Sequence, residues 1–93
     1  MRVPLGYSYI ADLAVAQGLN GGTLDTVPDG ANLAIIACDG QAVRWRDDGT
    51  APTAAIGMPL PVSTPLEYLG DLSKPKFIAQ VAGARLHVSF YKV

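Results

Sequence analysis

The chain predicts an all-β fold: a single small β-sandwich or jelly-roll-like barrel of about seven to nine short strands. Three observations carry this. Ten glycines and seven prolines cut the sequence into short apolar runs. The clearest of those runs alternate with a period of two, as a half-buried strand does. Turn signals recur at roughly 8–12-residue spacing, the rhythm of sandwiches and barrels. With 93 residues, one domain spanning 1–93 is expected.

The first thirty residues are the least regular, and residues 1–22 read either as first strands or as an N-terminal arm. Within them "ADLAVAQGLNGG" fits a short helix closed by Gly18, or a strand with Leu13, Val15, Gln17 and Leu19 on one face. The turn-rich "TLDTVPDGA" that follows favours the strand. "NLAIIAC", Asn32 to Cys38, is a buried strand, and "QAVRWR", Gln41 to Arg46, is another. Asp39-Gly40 between them predicts a two-residue hairpin, because both central residues of such a turn must tolerate positive φ. In the second strand Val43 and Trp45 share one face, and Arg44 and Arg46 the other. Asp47-Asp48-Gly49 ends it as a turn. Pro52 and "GMPLPV" predict irregular, edge-type structure, since proline donates nothing to a central ladder. "LEYLG", "KFIAQV" and "ARLHVSFYKV" complete the set, the last with Leu86, Val88 and Phe90 alternating with His87, Ser89 and Tyr91. Ala82-Gly83 is the turn before it.

A chain this short buries little, and small domains often gain stability from staples or partners. Cys38 is the only cysteine, so no internal disulfide is possible. Cys38 and His87 are the only soft or imidazole ligands and lie far apart in sequence, which argues against a metal; no cofactor is expected. Oligomerisation remains. Charged residues are 16% of the chain and hydrophobic ones 49%, against roughly 25% charge in an ordinary soluble domain. That surface suggests a covering protein. The longest clean apolar run, "LAIIAC", is far short of a membrane helix, and no signal-peptide pattern is seen at the start. The formal net charge is −1 with no run of Lys or Arg, so neither nucleic acid nor membrane is expected as a partner.

The candidate sites reduce to a few residues. In "RWRDDGTAPT", Arg44, Arg46, Asp47 and Asp48 offer charges for a ligand or an inter-subunit contact, or simply a polar strand face ended by a turn. Two adjacent carboxylates lack the alternating oxygens of a calcium loop. Trp45, in phase with Val43, reads as a core anchor rather than a sugar platform. His87 lacks any recognisable nucleophile or acid partner, and Cys38 has no adjacent cation to activate it. Glu67 is the only glutamate, so no glycosidase-type carboxylate pair is convincing. No catalytic constellation emerges, and an enzyme is not expected.

"VRWRDDGTAPTA" and the segments that follow resemble a group of small structural proteins of tailed bacteriophages. Arg44, Trp45, Arg46, Asp48, Gly49, Thr50, Pro52 and Thr53 carry the resemblance, with Gly57, Phe77, Ile78, Gly83, Leu86, Val88 and Tyr91. It covers roughly the last two-thirds of the chain; the first third adds nothing to it. Phe90-Tyr91 stands where two tyrosines are common in the group. The resemblance implies a virion component made in the bacterial cytoplasm, a head decoration or minor capsid protein. Its implied partners are itself, with a trimer favoured, and the major capsid protein. A tail-associated carbohydrate- or receptor-binding module, using Tyr7, Tyr9, Tyr68 and Tyr91, is the alternative.

Overall fold

The computed structural model describes all 93 residues. It contains eight strands and no helix: β1 (Val3–Ile10), β2 (Gln17–Gly18), β3 (Leu33–Asp39), β4 (Val43–Arg46), β5 (Met58–Leu60), β6 (Leu66–Leu69), β7 (Lys76–Ala79) and β8 (Arg85–Lys92). They form two four-stranded sheets, ordered β1-β8-β3-β6 and β2-β7-β4-β5. The antiparallel pairs β1·β8, β2·β7, β3·β6 and β4·β5 are nested one inside another. Cross-pairs β3·β8 and β4·β7 close each sheet. This is the strand order of a jelly roll, a long antiparallel ribbon rolled into a two-layer sandwich.

The core lies between the layers. Ile10, Ala34, Ile36, Cys38, Leu86, Val88 and Phe90 face inward from one sheet, and Val43, Leu60 and Phe77 from the other. The period-two reading of the closing strand holds: Leu86, Val88 and Phe90 are fully buried, while His87, Ser89 and Tyr91 are half-buried. The edge-type reading of "GMPLPV" also holds, because β5 borders its sheet and carries Pro59.

Two local expectations fail. Asp39-Gly40 makes a turn but no hairpin. Gly40, at φ +84°, carries the chain from one sheet to the other, and an added Cβ there would lie 2.4 Å from the Gly83 carbonyl. The edges of β3 are taken by β6 and β8, and those of β4 by β5 and β7. Nested long-range pairing overrides the local turn signal. The strand expected over Leu13–Leu19 shrinks to the two residues of β2. Leu13 and Leu19 are buried, but Val15 is 59% exposed, so the chain between them bends rather than alternates.

The longest N-terminal strand is β1, which residues 1–22 left open. Its inward residues are Ser8 and Ile10, its outward ones Tyr7 and Tyr9, and a register shift between Pro4 and Gly6 bends its start. The 19–24 segment packs directly on it: Thr23 N–H donates to the Tyr9 carbonyl at 3.0 Å, and Leu24 N–H to the buried Ser8 Oγ at 3.2 Å.

Candidate functional site

The charged stretch, read as an inter-subunit contact or a polar strand face ended by a turn, is tied into its own chain. Arg44 points from the outer face of β4 and donates to two carbonyls, Ala54 at 3.1 Å and Gly57 at 3.0 Å. Those bonds strap the 52–57 segment over the sheet. Thr53 and Ile56 close that segment by exchanging backbone bonds, and Pro52 beneath is buried. Gly57 permits the close approach, since a Cβ there would sit within 3.1–3.2 Å of Arg44, Pro52 and the Trp45 carbonyl at φ +148°.

Arg46 grips Asp48 with two bonds, Nε to Oδ1 at 3.0 Å and a second nitrogen to Oδ2 at 2.5 Å. The guanidinium holds the Asp48 carboxyl below its usual range. Asp47 accepts a 2.7 Å bond from the Tyr68 hydroxyl. Burial first, and then that carboxylate, push Tyr68 up to about 12. Trp45 is half-buried at the mouth between the sheets, edge-on to Tyr68 with ring centroids 5.9 Å apart and tilted on Phe77 at 6.3 Å. Thus Arg44, Arg46, Asp47 and Asp48 all have intrachain partners, and Trp45 packs against the core. An open hollow of about 400 Å³ remains beside them, lined by Arg46, Asp47, Asp48, Ile56, Gly57 and Met58.

Cys38 is buried, its thiol donating to the Leu60 carbonyl at 3.3 Å, and burial pushes it up. Asp71 is held below the usual carboxylate range by hydrogen bonds from Ser73. No group of three or more His, Cys, Asp or Glu side chains converges anywhere.

The feature that the sequence hid is the outer face of the β1-β8-β3-β6 sheet. Register places Tyr7 beside Ser89 and Ile35 in one row, and Tyr9 beside His87 and Ala37 in the next. Tyr91 lies opposite Leu33, which in turn pairs with Leu69. The Tyr7 hydroxyl hydrogen-bonds His87 Nδ1, and the Tyr9 ring stacks at a tilt on the imidazole, centroids 5.2 Å apart. His87 Nε2 is 3.8 Å from Asp39 Oδ2, which Arg85 binds at 3.2 Å. At the other end Arg2 reaches Glu67 at 2.8 Å, joining the sheet's two edges. Alternation alone puts His87 outward, but its partners lie 48 and 80 residues away, which no local pattern reveals. Of the four tyrosines weighed together as stacking platforms, Tyr7, Tyr9 and Tyr91 share this face. Tyr68 turns inward to Trp45.

No protein family, curated protein or solved structure matches the chain.

Proposed function

We propose that the chain is a non-enzymatic structural component of a phage particle, a decoration or minor capsid protein that self-associates and fastens to the head. The observation that carries this reading is the aromatic outer face of the β1-β8-β3-β6 sheet, where Tyr7 and Leu69 stand exposed. The other sheet carries the 52–57 strap at Arg44; this one turns exposed Tyr7 and Leu69 outward beside half-buried Tyr9, Ile35 and Tyr91. A patch of that kind on a small roll favours association. The physical logic suits a reinforcing role: a shell under outward load gains buried area from each adhesive unit, and the unit's own fold gains stability from the same contacts. The sequence resemblance supplies the head as the place. A trimer is one copy number compatible with the reading.

The test is a cryo-EM map of the parent particle, with sedimentation equilibrium of the free chain. Density for the roll on the head, together with self-association, is expected. A chain that stays monomeric and is missing from the head overturns the reading. A second reading, a tail carbohydrate-binding module, is favoured by the three tyrosines on one sheet face, since an aromatic body with a polar tip suits a half-wet contact. Density confined to the tail together with glycan-array binding lost in Tyr9→Ala selects it instead.

A further inference from the structure

We propose that the outer face of the β2-β7-β4-β5 sheet holds an extended acidic segment of a partner protein, with Arg44, Arg46 and Lys76 as its anchors. The proposal concerns the sheet that does not carry Tyr7 and Tyr9, and it does not rest on the particle reading. Trp45 and Phe77 pack toward the core, so alternation turns Arg44, Arg46, Lys76 and Ile78 outward. Register sets Arg46 directly opposite Lys76, and Arg44 opposite Ile78. Three of the chain's seven Lys and Arg residues thus meet on one small face, although the formal net charge is −1. Like charges directly opposite each other in a sheet cost stability. Departures from local consistency of this kind concentrate at functional sites.

The face lacks carboxylates of its own to match these cations. Arg2, Arg46 and Arg85 each bind one, in the pairs with Glu67, Asp48 and Asp39. Arg44 has no carboxylate partner, and neither does Lys76. Arg44 donates from Nε and from Nη1 to neutral carbonyls, those of Ala54 and Gly57. That leaves three of the five guanidinium N–H groups, both on Nη2 among them. A carboxylate fits such a fork and supplies the missing charge. Spacing selects an extended peptide. Arg44 and Arg46 stand two residues apart on a strand, about 7 Å. Carboxylates two residues apart on an extended partner repeat at that same distance, and Lys76 flanks the second. Asp47 and Asp48 border the patch, beside the hollow they line with Arg46. A nucleic acid carries a phosphate on every unit and meets repulsion there, whereas a peptide can set a neutral residue against them. Three cations also fall short of the phosphate contacts on which nucleic-acid affinity depends.

The test titrates the full chain with a fluorescein-labelled alternating Glu-Ser peptide, followed by anisotropy at low and at physiological ionic strength. Saturable binding that weakens with salt is expected. Lys76→Glu is expected to raise the Kd about tenfold, since reversal removes an attraction and adds a repulsion. The same substitution sets opposite charges across the β4·β7 pair, so its melting temperature is expected to equal or exceed the parent's. Lys92→Glu makes an identical change of net charge in the other sheet. At physiological ionic strength, with a Debye length of about 8 Å, it is expected to leave the Kd nearly unchanged. In an NMR titration the Arg44 side-chain N–H signals are expected to shift with added peptide. Absence of binding at low salt overturns the proposal. So does an equal loss in Lys76→Glu and Lys92→Glu, which reports net charge alone, and so do Arg44 signals that stay in place. A single-stranded oligonucleotide that binds more tightly than the peptide and displaces it assigns the face to phosphate, which overturns the acidic segment as its occupant.

Discussion

Arg44, Trp45 and Arg46 are consecutive in the chain and all half-buried, yet their surroundings assign them different energetic weight. Trp45 bridges Tyr68 of one sheet and Phe77 of the other. Because it is only half-buried, Trp45→Ala is expected to cost about 2–3 kcal/mol, less than a fully buried aromatic. Urea unfolding measures this. Arg44→Ala removes two charge-assisted bonds that strap the 52–57 segment, an expected loss of about 1–2 kcal/mol with faster amide exchange at Thr53 and Ile56. Arg46→Ala breaks a solvent-facing pair and is expected to cost less than Arg44→Ala. A larger loss for Arg46 than for Arg44 would reverse this ranking. Tyr68 adds a pH signature. Its folded pKa is raised to about 12 from an ordinary 10.0, so its contribution is fully present below pH 10 and is lost as the pH climbs toward 12. The stability gap between the parent chain and Tyr68→Phe is therefore expected to be constant through neutral pH and to narrow above pH 10. A gap that widens there would contradict the Tyr68–Asp47 bond.

At the level of elements, the 19–24 segment lies so close to β1 that Gly22 has no room for a side chain. An added Cβ would sit 2.5 Å from the Tyr9 carbonyl and 2.6 Å from both Ser8 Oγ and Ile10 Cγ1. Gly22→Ala is accordingly expected to destabilise by about 2–3 kcal/mol, in the range of overpacked cores. An unchanged melting temperature would show that the segment is looser than this contact requires. Strands β3, β6, β7 and β8 were legible because alternation and bounding turns are local signals. β1 was obscured by Pro4 and Gly6, and β2 by a bend at Val15, where the inside positions are supplied by Leu13 and Leu19 out of phase. The Asp39-Gly40 turn was visible, but its pairing was not: a turn states that the chain reverses, not which neighbour it joins. For the site, the strand faces of Arg44, Trp45 and Arg46 were readable from alternation. The groups they contact, the Ala54 and Gly57 carbonyls, Asp48 and Tyr68, depend on how loops fold over the sheet. The open Tyr7–His87–Asp39 face was invisible because it joins three strands distant in sequence.

The whole roll is organised by nesting, with β4·β5 innermost and β1·β8 outermost in sequence separation. Closing the outermost pair brings together residues as remote as Val3 and Lys92, at the largest loop entropy the chain has to overcome. Pairings of this kind make all-β domains slow to fold. The same register sets the termini side by side, so a short Gly-Ser linker can join Val93 to Met1 without disturbing either strand. New ends placed between Ser63 and Thr64 cut an exposed loop where Ser63 already holds a positive φ of 71°, a position that costs a non-glycine residue some strain. In that permutant β8 and β1 become a local hairpin, while β5 and β6 are no longer adjacent in the chain. All eight strands keep their partners. The expected outcome is a refolding rate at least several-fold higher, because the costliest closure has become the cheapest. Unfolding should be little changed, since the native contacts are the same. Stopped-flow refolding of the two chains, followed by Trp45 fluorescence, measures both rates. A permutant that folds no faster would mean that the β1·β8 closure is not rate-limiting, and that the slow step lies in β3 and β4 crossing between the sheets at Gly40.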